Sequence, residues 1–314
     1  MRQTVLSVVS PVYGCAGCLE TLCERIAAAL APLGIAHEVV LVCDASPDDA
    51  WPRIVEIAAR DPRVRGLRLS RNFGQHPAIS AGLAAARGDW VVVLDCDLQD
   101  PPEAIPALYA RALEGADAVV AQRKDRKDGW AKRTLSRAFY ATLSWLTGDR
   151  HDPETANFGI YSRRLVEQIL RLPESGRFFP LLVRWTGLPR ATLAVAHAGR
   201  ADGRSGYTLR GLLRLALEVI MSHSDRPLRL VAKLGVLFGL ASFGFALLSV
   251  YRWFVGDIAV AGFTSIIASI WLVGGATIAC LGVVGLYVGR IFTESKRRPH
   301  YVVVESTDAG DPLR

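Results

Sequence analysis

Two stretches of this 314-residue chain, 234–251 and 258–289, contain no charged side chain. Charged residues make up 21% of the whole, so gaps of that length point to a special environment. An uncharged, mostly apolar run of about 18 residues or more can cross about 30 Å of hydrocarbon as a helix. The expectation is two transmembrane helices, at about 232–254 and 264–288, in preference to two buried core helices. The connection between them has little positive charge, with Arg252 its only basic residue, whereas Arg226, Arg229, Lys233, Arg290, Lys296, Arg297 and Arg298 flank the pair. Basic residues stay on the cytoplasmic side. The expected placement is therefore multi-pass in the cell (inner) membrane, with both termini and the preceding domain cytoplasmic. The start, "MRQTVLSVVSPVYG", lacks the pattern of a signal peptide and reads as a strand closed by a turn.

Cysteine is scarce, with six residues, and a cytoplasmic domain is not expected to pair them. Cys15 and Cys18 have metal-like spacing, but no second Cys or His pair follows at zinc-ligand distance, which argues against a zinc site. Negative charge is also in deficit. The net charge of +7 is concentrated near the uncharged stretches and in residues 123–137. That suits an anionic membrane surface or a phosphate-bearing substrate better than nucleic acid.

What the first 225 residues do contain is a regular alternation. Strand-like runs at 4–10, 37–44, 64–70, 89–97 and 117–123 alternate with helical patterns at 18–34, 48–60, 77–87 and 102–114. This rhythm predicts an α/β domain with a mainly parallel sheet flanked by helices. Ligands bind outside the carboxyl ends of such strands. There the sequence places Pro11, Tyr13, Asp44, Asn72, Asp95, Cys96, Asp97 and Arg123. In "VVVLDCDLQDPPE" (91–103) a strand-forming run meets Asp95 and Asp97, two apart and on one side of a regular strand, with Cys96 on the other. Paired carboxylates at the rim of a low-dielectric core need a positive partner. Oxygen ligands favour Mg²⁺ or Mn²⁺, which complete their shells with substrate phosphates. Asp100 reads as a cap for the helix opened by Pro101 and Pro102.

The segments "SPVYG", "VCDASPDD", "LSRNFGQHPAISAGLAAARGDWVVVLDCDLQDPPE", "QRKDRKDGWAKRTLSRAFY" and "ANFGIYSRR" occur in the order of a known family. The chain resembles family 2 inverting glycosyltransferases of the polyprenyl-phosphate hexose synthase type, nearly from end to end. That group includes dolichyl-phosphate mannose synthase and the bacterial undecaprenyl-phosphate glucosyl- and aminoarabinosyl-transferases. The resemblance implies a GT-A-like nucleotide-sugar-binding sheet, with Asp95, Asp97 and Gln99 holding the metal on the donor diphosphate. It further implies that Pro11, Tyr13 and Asp44 line the base pocket, with Asn72 and Cys96 on the donor side. Two departures bear on nucleotide identity. The family's "PVYNE" is "PVYGC" here, so Gly14 and Cys15 replace an amide and a carboxylate; its "DDGS" is "CDAS", so Cys43 replaces the first Asp.

For the acceptor, the resemblance assigns phosphate binding to Arg123 and Arg137, and matches Arg200 and Ser205 to a loop that usually carries Lys where Gly206 stands. Residues 130–146 and 208–221 each combine an apolar stripe with basic residues, Arg133 and Arg137 in the first. Such stripes suit helices lying in a membrane interface, or ordinary helices packed on the sheet. Relatives often carry "GDF" where this chain has Ala156-Asn157-Phe158, and Asn157 cannot act as a general base. A phosphate acceptor tolerates that, because its second pKa is about 6 and it is already largely ionised.

The expected organisation is a catalytic domain over 1–225 with interfacial helices, a membrane domain over 226–289 and a cytoplasmic tail over 290–314. The expected reaction transfers a hexose, from UDP-glucose as the expected donor, to a polyprenyl phosphate for cell-envelope glycans. Asp97, Arg123 and Arg137 would be catalytic, and Arg123, Arg133, Arg137, Asn157, Arg200 and Ser205 would contact the acceptor. Expected partners are the nucleotide sugar, the lipid acceptor and the membrane, without nucleic acid; the family also allows a homo-oligomer. A transferase on another membrane acceptor, such as a glycolipid or growing polysaccharide, and a non-catalytic scaffold are the alternatives. A nucleotidyltransferase would want a Gly-rich basic loop near the amino terminus, which the chain lacks.

Overall fold

The computed structural model describes residues 5–124, 155–174, 176–196, 226–255 and 262–308. They fall in two compact units. One comprises 1–133, 152–206 and 297–314; the other comprises 134–151 and 207–296.

In the first unit the strands are β1 (Val5–Val12), β2 (Ala36–Cys43), β3 (Val64–Leu69), β4 (Trp90–Val93), β5 (Ala118–Lys124), β6 (Thr155–Ser162), β7 (Arg190–Ala196) and β8 (Val303–Ser306). They form one sheet in the order β7-β5-β6-β4-β1-β2-β3-β8. β1 pairs in parallel with β2 and β4, and β2 with β3. β6 runs antiparallel to both β4 and β5, and β8 antiparallel to β3. β5 also pairs in parallel with β7, so among the described residues four of the seven pairings are parallel and the sheet is mixed, its antiparallel pairings being those of β6 and β8.

Helices cover both faces. Leu19, Leu22 and Ile26 of α1 (Leu19–Leu30), Ile54 of α2 (Ala50–Arg60) and Leu108 of α4 (Ile105–Leu113) enter one core. Ile79 of α3 (Gln75–Ala85), Leu165 and Ile169 of α5 (Arg163–Arg171) and Phe179 of α6 (Phe179–Trp185) enter the other. β1, β2 and β4 are Val- and Leu-rich because most of their residues are buried on both sides. α3 lies so close to the sheet that a Cβ added at Gly82 would sit 2.2 Å from Val9 Cγ1.

β8, in a segment to which the sequence reading gave no element, seals the β3 edge. Gly66 N–H donates to Thr307 Oγ1 at 2.8 Å, and Trp51 Nε1 and Arg68 hold Glu305. At the amino end of β2, Glu38 accepts from Ser7 Oγ (2.6 Å), Arg87 N–H (2.6 Å) and Arg65 (2.8 Å). Arg65 and Arg87 also pair with Asp308. Burial alone would raise the Glu38 carboxyl, but the bonds from Ser7, Arg87 and Arg65 hold it below the usual range.

The second unit contains α7 (Arg226–Val255) and α8 (Phe263–Ser295). Among the described residues only one helical stretch, Leu272–Ser295 within α8, is long and apolar enough to cross a membrane. This overturns the expectation of two transmembrane helices and, with it, the multi-pass placement. The physical difference is the spacing of charge. Lys233 and Arg252 both lie inside α7 and bound an uncharged interior of about 27 Å at 1.5 Å per residue, whereas α8 is uncharged from Phe263 to Gly289.

Candidate active site

The site lies at the carboxyl ends of β1, β2 and β4, which the register brings level: Val12 is opposite Cys43, and Val9 opposite Val93. Strand order reverses between β1 and β4, where the loops diverge and open a crevice. A cavity of about 730 Å³ occupies this position. Pro11, Tyr13, Asp44, Asn72, Asp95, Cys96 and Asp97 line it together, as do Cys15, Cys18, Asp48 and Gln75.

Each lining residue is placed by its loop. Tyr13 follows the last residue of β1 and is 55% exposed, so its ring is free to meet a ligand instead of packing in the core. Gly14 takes a φ of +68°, and its N–H donates to Ser46 Oγ at 2.7 Å, while Ala16 N–H donates to Asp48 at 2.9 Å. Asp44 is buried, and its two oxygens accept from Phe73 N–H and Gly74 N–H, both at 2.8 Å. Burial raises its pKa while those bonds and Arg71 pull it down. Asp44 therefore anchors the loop that opens α3, in addition to lining the cavity. Cys43 is core-buried, so the loss of a carboxylate there removes nothing from the cavity wall.

β4 ends at Val93, earlier than the expected strand 89–97, and Asp95, Cys96 and Asp97 occupy the following loop. The loop turns sharply at Leu98, whose φ is +59°. Gln75 Nε2 donates to Asp95 Oδ1 at 2.7 Å, and Gln99 N–H donates to Asp97 Oδ1 at 3.1 Å. Gln99 thus contacts Asp97 through its backbone and is absent from the cavity lining. Gln75 was quoted within a motif but given no role by the sequence reading; its position at the first turn of α3 is visible only once α3 is set beside β4. Loss of this contact in Gln75→Ala is expected to lower donor kcat/KM about fivefold, the size of one exposed charged hydrogen bond of about 1 kcal/mol. Steady-state kinetics beside an unchanged melting temperature would check it; an unaltered kcat/KM would refute the role.

Cys15 and Cys96 are joined as a disulfide, with Cα atoms 6.6 Å apart. This corrects the expectation of unpaired cysteines and of a Cys96 turned away from the site. The compartment rule speaks to redox poise and not to which loops meet; here the loops after β1 and β4 are neighbours although 81 residues apart in sequence.

Next to Gln75, His76 packs edge-on against Phe178 and its Nδ1 accepts from Phe179 N–H at 3.4 Å. Burial pushes its pKa down from 6.5 to about 4. The unfolded chain then takes up a proton that the folded one refuses, so stability present above pH 6.5 is lost as pH falls towards 4. Part of the residue remains accessible, so the loss is at most about 3 kcal/mol. Urea midpoints measured across that range should fall in the wild type and stay flatter in His76→Gln.

Of the acceptor candidates, Arg123 lies near the end of β5, where its backbone is in register with Val195. Asn157 lies on β6 two residues before Gly159, which pairs with Val93 in antiparallel register, so it falls on the side towards Asp95. Arg133, Arg137, Arg200 and Ser205, with both proposed interfacial helices, lie outside the described residues.

No group of three or more His, Cys, Asp or Glu side chains converges as a metal cage among the described residues. Asp95 and Asp97 offer two carboxylates on one loop beside the cavity. That donor set fits a hard divalent cation that takes its remaining oxygens from a bound diphosphate, and does not fit a closed structural metal site.

A family model for glycosyl transferase family 2 matches residues 7–170. An uncharacterized glycosyltransferase of Synechocystis sp. is 34% identical over 95% of this chain and 94% of its own. The undecaprenyl-phosphate 4-deoxy-4-formamido-L-arabinose transferase of Proteus mirabilis is 35% identical over 98% of this chain and 95% of its own. The enzyme of the same name from Aeromonas hydrophila is 34% identical over 95% and 93%. Among solved structures, glucosyl-3-phosphoglycerate synthase from Mycobacterium tuberculosis in complex with phosphoglyceric acid superposes with a TM-score of 0.52 at 24% identity, covering 71% of this chain and 81% of that one. Its complex with Mn²⁺, UDP and glucosyl-3-phosphoglycerate gives 0.50 at 23%, covering 70% and 78%. At that identity the likeness is one of fold.

Proposed function

This chain belongs to glycosyl transferase family 2 and is related to undecaprenyl-phosphate sugar transferases, and on that premise we propose that it moves a hexose from a nucleoside diphosphate to a polyprenyl phosphate. The observation that carries this reading is the cavity at the β1–β4 reversal, with an exposed Tyr13 on one wall and Asp95 and Asp97 on the other. An aromatic face suits a base, and the aspartate wall suits a cation-bound diphosphate.

In this reading the donor lies across the crevice, its base towards Tyr13 and Pro11 and its diphosphate towards Asp95 and Asp97. Those two residues would hold Mg²⁺ or Mn²⁺, which when bound neutralises charge on the departing diphosphate. Gln75 and the Gln99 N–H fix the two carboxylates so that they need not reorganise during the reaction. The family resemblance assigns acceptor-phosphate binding to Arg123 and Arg137 and acceptor contacts to Arg133, Arg200 and Ser205; the acceptor oxygen attacks the anomeric carbon from the face opposite the leaving group. One C–O bond forms as the other breaks, and the configuration inverts. The acceptor oxygen is already ionised near neutral pH, so no carboxylate base is required and Asn157 only orients a ligand. A large gain in turnover in Asn157→Asp would contradict that part.

The test is transfer of radiolabel from a panel of nucleotide sugars to undecaprenyl phosphate in detergent, with Mg²⁺, Mn²⁺ or EDTA. Label in the lipid extract, lost with EDTA, is the expected result and names the donor. Donor hydrolysis without lipid label would assign another acceptor.

A further inference from the structure

We propose that Cys15 and Cys96 form a reversible thiol modification site within the donor pocket, the disulfide favouring binding of a nucleoside diphosphate and the dithiol form weakening it. This rests on reading the cavity as the donor site. The bond spans the crevice where strand order reverses, joining the loop after β1 to the loop after β4. Tyr13 is two residues from one sulfur-bearing residue, and Asp95 and Asp97 flank the other. A single covalent link therefore sets the spacing between the wall offered to the base and the wall offered to the diphosphate. The hydrogen bonds of Gly14 and Ala16 run the other way, to Ser46 and Asp48 after β2, and do not tie the loop to β4. With the link in place the cavity is about 730 Å³, a size that admits a small-molecule ligand. Without it, ligand binding must also order the two loops against each other, and affinity falls.

The chemistry is thiol–disulfide exchange with a dithiol reductant. Cys96 is 7% exposed and Cys15 more accessible, so a reductant thiolate attacks the Cys15 sulfur. The S–S bond breaks, Cys96 leaves as a thiolate and takes a proton. The reductant's second thiol then displaces Cys15, which also ends as a thiol. Two electrons pass to the protein, and the reductant departs as its own disulfide.

The experiment uses the full chain purified without reductant. Thiol titration in denaturant should find four free thiols, those of Cys18, Cys23, Cys43 and Cys280, and six after dithiothreitol. Calorimetry with UDP, GDP, CDP and dTDP in the presence of Mg²⁺ then compares oxidised wild type, reduced wild type and Cys15→Ser. The expected result is about fivefold weaker binding on reduction, with Cys15→Ser resembling the reduced form and ignoring dithiothreitol. Six thiols before reduction, equal affinity in both forms, or the same reductant effect on Cys15→Ser would overturn the inference alone. No nucleotide bound by either form would overturn the donor-site reading and the inference with it.

Discussion

Asp97→Ala is expected to cut lipid-linked label by about 100- to 1000-fold, the usual loss when a main source of transition-state charge stabilisation is removed. Asp97 is the carboxylate fixed by a main-chain donor, Gln99 N–H, and it lines the cavity beside Asp95. On the proposed mechanism the leaving diphosphate would gain negative charge as the glycosidic bond breaks, and a loop with one carboxylate would hold a neutralising cation too loosely. Asp97 is only partly buried and lies beyond the end of β4, so folding should be unharmed. Asp97→Asn should lose nearly as much as the alanine variant, because shape is kept while charge is removed. Transfer within threefold of wild type in either variant, at equal folded protein, would remove Asp97 from the mechanism.

Glu38→Ala is the variant expected to harm the fold most. The carboxylate is buried at 8% exposure and gathers Ser7, the Arg87 N–H and Arg65. Removing it leaves the Arg65 guanidinium in a site where water is scarce, with Asp308 at 2.9 Å and the Ala85 carbonyl at 3.1 Å as its remaining partners. Breaking a buried pair from one side costs about 3–5 kcal/mol, and the surviving Asp308 contact places this case at the lower end. Glu38→Gln, which keeps an acceptor oxygen, should lose less. Denaturant midpoints of the three proteins would order them wild type, Glu38→Gln, Glu38→Ala. Glu38 lies at the amino end of β2, opposite the cavity, so donor affinity of the folded variants should match wild type; a loss of affinity at full folding would refute the separation.

The strands and helices up to residue 124 were legible because burial on two faces writes unbroken Val and Leu runs, and the intervening helices write a different period. The lining residues were legible for a related reason: ligand-binding groups of such sheets collect at strand ends. Three features were not. The antiparallel β6 carries the same apolar pattern as a parallel strand, so sequence period cannot give its direction. Gln75 and the Cys15–Cys96 bond depend on which loops become neighbours, and that is decided by strand order. The two uncharged stretches looked alike by composition, yet in α7 the uncharged interior is bounded by Lys233 and Arg252, while in α8 it runs longer, from Phe263 to Gly289.

The seal on β3 has a temporal side. Arg68 meets Glu305, a residue 237 positions later. At about 5–20 residues per second of synthesis, that interval is roughly 10 to 50 s. Throughout it the β3 edge of a nascent chain has made its own backbone and not yet its partner's. The long apolar helix emerges within the same window, before residues 303–306 can close the sheet. The sheet is therefore finished last at the margin whose strand was among the first to be made, and its early life is that of an open edge held in waiting.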